Sequence, residues 1–486
     1  MAENKKTQKP KPKRAGKGNG CPLYKKCGGC QLQNMSYEEQ LSFKQAKCVR
    51  TLGSFGFVEK IIGMENPTHY RNKVQAAFGT TRSGKIISGV YQSKSHRIVS
   101  VDDCLLEDET ADRIIVDIRK MLPMFKLLPY NEDTGRGFLR HVLVKRGFQT
   151  GEVMVVLVTG TPVFPRKNDF LRKLLTLHPE ITTVVQSVNS ARTSLVLGKD
   201  ETVLFGKGYI EDILCGNRFR ISPKSFYQIN PVQTEKLYNT AIDFAGLTGK
   251  ETVLDAYCGI GTIGITAAKQ AKTVIGVEVN PDAIRDAKQN ARLNQKENLR
   301  FFTADAGEFM QALASENEKV DVVFMDPPRA GSDLKFLRSL VTLGADRVVY
   351  ISCNVETQAR DLLFLVKNGY KARKIQPVDM FPHTTHVETV VLLSRKNIEE
   401  TITVKIDVSS LGLKPSRTAT YEEIKSYVLD KYGIKVSSLY ISQIKAKHGI
   451  KVRENYNKGQ QKYGVPQCPA EKEKVIVEAF KYFGMI

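Results

Sequence analysis

Cys353 closes the apolar run VVYISC (348–353), and Glu388 opens a second apolar run, ETVVLL, 35 positions later. If the two runs are neighbouring strands, a thiol nucleophile and a carboxylate base meet at the mouth of one sheet. A thiolate attacks an electron-poor carbon and later leaves again, and a carboxylate beside it can take up the proton that such an addition loosens.

Two further segments supply what this pair would act with. TVLDAYCGIGTIG (252–264) reads as a buried strand, a glycine turn and a helix start, the layout that brings backbone close to a nucleotide-like ligand. Glu278 ends the following strand, TVIGVE, about 20 residues on, where an acid can accept from ribose hydroxyls. Taken alone, Gly259, Gly261 and Gly264 fit a dinucleotide fingerprint equally well. VVFMDPPRAG (322–331) sets Asp326, Pro327, Pro328 and Arg329 just past another strand. Ligands of open α/β sheets lie outside the carboxyl ends of strands, so these residues are expected to converge on one crevice.

Together, SFYQIN (225–230), DAYCGIGTIG, DPPRAG, SCN and HVETVVLL resemble the S-adenosylmethionine-dependent RNA uracil-C5 methyltransferases, over roughly Cys21 to Arg395. The resemblance implies an α/β fold: a Rossmann-like class I methyltransferase domain behind a β-rich RNA-binding domain. It implies that Cys353 attacks C6 of uracil and that Glu388 removes the C5 proton after methylation. Asp326 and Arg329 would shape the uracil and methyl-donor pocket. Gln228, Tyr257, Thr262, Glu278 and Asp305 would line the S-adenosylmethionine. Without the other motifs, Cys353 reads as a small buried residue and Glu388 as a solvated strand end. Cys258 reads as packing in the glycine turn, and Phe226 and Tyr227 read as core.

The chain has nine cysteines in 486 residues, too few for a disulfide scaffold. No secretory leader or long apolar run is visible, which points to the cytoplasm. Cys21, Cys27 and Cys30 (CPLYKKCGGC) are closely spaced around Gly28 and Gly29, so their thiolates can converge on a metal. Four thiolates suit zinc or an iron–sulfur cluster. By the resemblance Cys104 is the fourth ligand, and the spacing together with the resemblance favours 4Fe–4S. Cys48, on a helix expected over 37–50, is the rival; Cys215 and Cys468 read as structural.

Lys and Arg exceed Asp and Glu by 22, a balance that favours a polyanionic partner. Residues 1–20 carry seven basic side chains among Pro, Gly and Asn and read as a disordered basic tail. Many relatives open with a small β-barrel, for which this chain leaves no room ahead of its cysteines. Residues 21–217 read as the β-rich domain, built of antiparallel strands in KVQAAFGTTRSGKIISGVYQ, HVLVKRGFQTGEVMVVLVTG and TTVVQSVNSARTSLVL. Within it, Tyr70 to Lys73 and the run GFLRHV (137–142) are candidate RNA contacts. Residues 218–397 are the expected methyltransferase domain. Residues 398–486 read as a small helical extension, with the TYEE capping box at Thr420 and helices near 438–447 and 471–483.

The cysteine set resembles the ribosomal branch of the family, so a 23S rRNA uridine, in a loop or flipped from a helix, is the expected target of a monomer. Transfer RNA is the alternative substrate, and a non-catalytic iron–sulfur RNA-binding regulator the alternative function. Cytosine-C5 enzymes usually place the cysteine after proline, whereas Ser352 precedes it here. Adenine-N6 enzymes put an aromatic residue after the paired prolines, where this chain has Arg329.

Overall fold

The computed structural model describes residues 20–92, 95–193, 195–395, 419–450, 466–483 and 485–486. The expected tail falls almost wholly outside them. By packing the chain divides into Met1–Asn397 and Ile398–Ile486.

The first unit opens with α1 (Tyr24–Cys27) and α2 (Tyr37–Leu52), the latter capped by a Ser36–Glu39 box. A sheet follows from β1 (Lys73–Thr80), β2 (Ile86–Tyr91) and β3 (Ile98–Ser100), then α3 (Glu109–Met124), β4 (Leu139–Arg146) and β5 (Val153–Thr159). After α4 (Lys167–Leu177) come β6 (Ile181–Val188) and β7 (Asp200–Gly206), completing the order β3-β2-β1-β4-β5-β6-β7. All-antiparallel pairing was expected, but β5 and β6 run parallel. The intervening apolar run FLRKLLTL folds as α4 and carries the chain back over the sheet, as a parallel pair requires. The strand expected near 193–197 is displaced to β7.

A hairpin, β8 (Ile210–Leu214) and β9 (Asn217–Ile221), leads into α5 (Pro231–Ala245). The second sheet alternates β10 (Thr252–Ala256), α6 (Thr262–Ala267), β11 (Thr273–Glu278), α7 (Pro281–Leu293), β12 (Leu299–Thr303) and α8 (Ala306–Ser315). It continues through β13 (Val322–Met325), α9 (Leu334–Leu343), β14 (Arg347–Ser352), α10 (Val355–Lys367), β15 (Tyr370–Val378) and β16 (Glu388–Arg395). The strand order is β12-β11-β10-β13-β14-β16-β15, with β16 antiparallel to both neighbours. This is a doubly wound α/β sheet whose order reverses between β10 and β13, the place where such sheets bind ligands.

Period-2 alternation assigns consecutive strand residues to opposite layers. Val253, Phe324 and Ile351 pack on the side of α5 and α6, while Leu254, Met325 and Tyr350 pack on the side of α9 and α10. The first sheet joins that arrangement: Leu143, Met154, Val156 and Val158 enter the same core as Val253, and the opposite face closes on α3 and α4. Among the described residues no helix is long and apolar enough to cross a membrane.

The second unit holds α11 (Tyr421–Tyr432), capped by the Thr420–Glu423 box, α12 (Ser438–Lys447) and α13 (Ala470–Tyr482). Ile424, Val428, Ile441, Ile476 and Phe480 form its own core.

Candidate active site

Strand register brings the candidate nucleophile and the candidate base together. β14 and β16 are neighbours with Ser352 opposite Thr389, so Cys353 and Glu388 face each other one position further on. Directly opposed residues of an antiparallel pair have Cα atoms roughly 4.5–5.5 Å apart. Cys353 is half-buried and Glu388 is buried. Asp326 follows β13 on the adjoining side, where Met325 pairs with Tyr350.

The charges here are coupled. Burial, then the carboxyls of Glu388 and Asp326, push the Cys353 thiol up to about 11, while the adjacent Arg329 guanidinium pulls it down. Burial and the neighbouring Asp326 hold Glu388 well above the carboxylate range, again opposed by Arg329. Burial raises Asp326 to about 7, and Asp255, at the floor of the glycine turn, also to about 7. Such a cluster of acids favours a cation among them.

The SCN and DPPRAG segments are fastened to each other. Asn354 caps α10 by accepting from Glu356 N (3.1 Å) and donates to the Arg329 carbonyl (3.1 Å), which Thr357 Oγ1 also reaches (3.2 Å). Gly331 has φ +75°, and a Cβ there would lie 2.6–2.7 Å from Arg360 and Asp361, so glycine lets the turn close.

The residues expected to line the methyl donor ring the same edge. Glu278 accepts from the peptide N–H groups of Gly259 (3.3 Å) and Asn280 (3.0 Å). Thr262 opens α6, with Oγ1 3.2 Å from the buried Tyr238 hydroxyl. Asp255 accepts from Gly264 N (2.8 Å), fixing the start of that helix. Tyr257 has the left-handed φ of +69°, unusual for a bulky residue, and packs on Phe336 with ring centroids 5.0 Å apart. Asp305 is exposed and caps α8 by accepting from Glu308 N (3.0 Å). Gln228 is half-buried; its carbonyl accepts from Asn72 Nδ2 (3.1 Å).

A cleft of about 190 Å³ lies between the SFYQIN loop and the glycine turn, lined by Phe226, Gly259, Ile260, Glu278 and Asn280. Phe226 was read as core but is 65% exposed over this cleft, whereas Tyr227 is buried and bonds Asp212. Alternation along SFYQ marks the two aromatics as opposite in direction without saying which faces in.

The loop is held from the first sheet by residues that sequence reasoning missed or misassigned. Lys145 on β4 is buried and donates to the carbonyls of Ser222 (2.9 Å) and Ser225 (2.8 Å). Burial, with help from nearby Lys73, lowers it to about 7. Asn72 N donates to Ile229 O (3.0 Å). Tyr70 and Asn72, read as RNA contacts, are therefore interior; within 137–142, residues 138–142 are buried too.

The loop that delivers Glu388 is fixed by the N-terminal segment. Lys44 on α2 and Asp379 form a wholly buried pair at 2.5 Å, and Lys44 also donates to Phe381 O (2.9 Å). Tyr37 donates to Asp379 (2.8 Å), Leu32 N to His383 O (3.0 Å) and Tyr70 to Pro382 O (3.1 Å).

All nine cysteines are free thiols. Cys48, the rival ligand, is buried in the core beside Leu52, and Cys258 packs near Gly276. Cys215 sits at the β8–β9 turn, and Cys468 is half-buried beside α13. The Cys30 thiol feels both Cys27 and Cys21, and Cys30 and Cys104 pack on one small apolar cluster of Met64, Tyr70 and Leu106. The Arg71 guanidinium acts on both Cys30 and Cys104, and its Nε is buried without a hydrogen-bond partner. Among the described residues no three His, Cys, Asp or Glu side chains are gathered as a single metal ion requires.

The tRNA (uracil-5-)-methyltransferase family model matches residues 36–396. An uncharacterized RNA methyltransferase of Halalkalibacterium halodurans is 45% identical over 382 residues, 78% of this chain and 83% of that protein. One from Clostridium acetobutylicum is 44% identical, over 77% and 83% respectively. The solved Pyrococcus abyssi tRNA (uracil-54, C5)-methyltransferase, in complex with S-adenosyl-L-homocysteine, is 32% identical with a TM-score of 0.64, over 75% of this chain and 85% of that one. The chain belongs to the tRNA (uracil-5-)-methyltransferase family.

Proposed function

We propose that this chain methylates C5 of a uridine in RNA, with Cys353 as nucleophile and Glu388 as base. The observation that carries the reading is the register that sets these two residues opposite each other beside Asp326 and Arg329. S-adenosylmethionine, when bound, supplies an electrophilic methyl group on a cationic sulfonium. The residues present suit that charge: Asp326 follows β13 beside Cys353, and buried Asp255 lies under the glycine turn, both pushed up to about 7 by burial. Gln228, Tyr257, Thr262, Glu278 and Asp305 are the side chains assigned to hold the donor, and exposed Phe226 joins them.

In the reaction Cys353 adds to C6, and the C5–C6 pair moves toward O4 as an enolate. That enolate would form the new C5–CH₃ bond as the donor's S–CH₃ bond breaks and its electron pair returns to sulfur. Glu388 then takes the C5 proton, and the electrons left behind expel the thiolate and restore the ring. Arg329 beside the thiol favours its anionic form. General-base help of this kind contributes about 10²- to 10⁴-fold.

Cys21, Cys27, Cys30 and Cys104 are assigned as ligands of a 4Fe–4S cluster. A zinc site needs all four sulfurs about 2.3 Å from one ion, whereas a cluster spreads its thiolates further apart. The orphaned Arg71 Nε suits an anionic sulfur group between Cys30 and Cys104.

We assign the target to 23S rRNA, because the cysteine set resembles the ribosomal branch, and expect a cytoplasmic monomer. Transfer RNA is the second reading, favoured by the substrate of the Pyrococcus abyssi relative. The test is transfer of labelled methyl to 23S rRNA fragments and to unmodified tRNA, with Cys353→Ala as control. Label on uridine C5 of 23S fragments, absent in the variant, is expected. Label on tRNA alone moves the substrate, and label that survives Cys353→Ala overturns the mechanism.

A further inference from the structure

The first sheet carries a second cleft, on β1 and β2 and away from Cys353. One lobe of about 1080 Å³ and another of about 530 Å³ share Tyr91, His96, Glu132 and Asp133. Tyr91 ends β2 and is 39% exposed, with His96 and His141 edge-on to its ring at centroid distances of 6.0 and 6.1 Å. His141 lines the smaller lobe, is only 6% exposed, and has a buried Nδ1 with no hydrogen-bond partner. An unpaired polar atom in such a place is costly unless something arrives to bond it.

The walls are built firmly. Arg140 donates to Asn189 O (2.6 Å), Ala191 O (2.9 Å) and Glu132 (2.7 Å), which holds one oxygen of that carboxylate in place. The chemistry is mixed in a specific way: the Tyr91 ring, the buried His141 imidazole, half-buried Glu132, and exposed His96 and Asp133, with exposed Arg82, Arg97 and Arg192 at the edges. Carboxylates repel a phosphate backbone but accept hydrogen bonds from base amines. Arginines at the edges suit the phosphates, and Tyr91 offers a ring for stacking.

We propose that this cleft holds an unpaired, amine-bearing nucleobase of the same RNA whose uridine reaches Cys353. Tyr91 stacks on the base, Glu132 or Asp133 accepts from its amine, and His141 bonds its edge. The location supports this. Asn72, just before β1, touches the SFYQIN loop, and Gln75, three residues on and within β1, lines the cleft, a separation of roughly 10 Å at strand rise. The proposal rests on the RNA-methylating function for the identity of the chain's partner, but binding can be measured without methylation.

Fluorescein-labelled hexanucleotides of C, A and U are titrated against the full chain, alongside Tyr91→Ala, Glu132→Gln and Arg192→Glu. The expected result is tighter binding of oligo(C) or oligo(A) than of oligo(U). Tyr91→Ala should weaken all three by about 5- to 100-fold, as loss of one stacked base does, and Glu132→Gln should erase the preference for amine-bearing bases. For methylated RNA, Tyr91→Ala should raise KM by a similar factor and leave kcat within about twofold. Unchanged oligonucleotide affinity in both Tyr91→Ala and Arg192→Glu overturns the cleft. If no RNA is methylated by the native chain but these affinities shift as stated, the reaction assignment fails and the binding site stands.

Discussion

Cys353 and Cys30 are both half-buried thiols that burial pushes up to about 11, yet they are held in different ways. Cys353 sits at the end of a buried strand, with Glu388 fixed opposite by sheet register and the Arg329 backbone tied down through Asn354 and Thr357. The segment from Cys21 to Cys30 has a four-residue helix with no buried residue and a left-handed glycine at its end. Cys30 packs on the cluster of Met64, Tyr70 and Leu106, and the exit is anchored through Leu32, Gln40 and Lys44 onto the loop of 379–383. A site made by β-sheet register is complete before anything binds. A site made by thiols around a short helix depends on what they bind. The helix that follows the cysteine segment and the loop that precedes Glu388 meet in the buried Lys44–Asp379 pair.

The largest test of the pre-built half is Glu388→Gln. It should lower turnover by about 10²- to 10⁴-fold while the Cys353–RNA adduct persists on a denaturing gel. Absence of an adduct, with turnover near normal, would break the claim that the base is set in place by β16. Next comes the junction. Lys44→Met leaves the buried Asp379 carboxylate without its cation, held by the Tyr37 hydroxyl, which costs about 3–5 kcal/mol in urea melts. Pairing it with Asp379→Leu should restore most of the stability but not the aim of the loop, so methyl transfer stays depressed. A neutral Lys44→Met would mean that the two regions are not joined there.

The same contrast explains what could be read from the sequence. The placement of Cys353, Glu388 and Asp326 at one sheet edge was legible because each lies at the end of an apolar run; the roles expected of them came from the resemblance, not from periodicity. The Thr420–Glu423 box was legible because its logic is local. Lys145 was not, because its partners Ser222 and Ser225 lie 77 and 80 residues away. Asn72 was misread for the same reason: a polar residue in a basic run resembles a solvated contact until the loop it bonds is known. The parallel β5–β6 pair escaped because alternation reports which face a residue takes and not the direction of its neighbour.

A chemical probe sharpens the comparison at smaller amplitude. Below about 11 the thiolate fraction of Cys353 rises tenfold per pH unit, so its alkylation by iodoacetamide should rise about 100-fold from pH 7 to 9 in the RNA-free chain. Arg329→Met removes the group that lowers this thiol and should slow the reaction at every pH. Reconstitution with iron and sulfide should protect Cys21, Cys27, Cys30 and Cys104 from alkylation and leave Cys353 reactive. Equal protection of Cys353 would erase the distinction between the two regions.

The smallest effect belongs to Arg71, whose Nε has no partner among the described residues although the group is buried beside Cys30 and Cys104. If that donor faces an anionic sulfur group, it contributes a charge-assisted hydrogen bond worth about 1.5 kcal/mol. Arg71→Met should then speed iron release to a chelator about tenfold, followed by visible absorbance. Arg71→Lys keeps the positive charge but cannot reproduce the fixed planar array of donors, so it should fall between the two. Equal release rates in all three proteins would show that the orphaned donor serves no sulfur ligand. The cysteine segment would then be ordered by its contacts with the 379–383 loop and with the cluster of Met64, Tyr70 and Leu106.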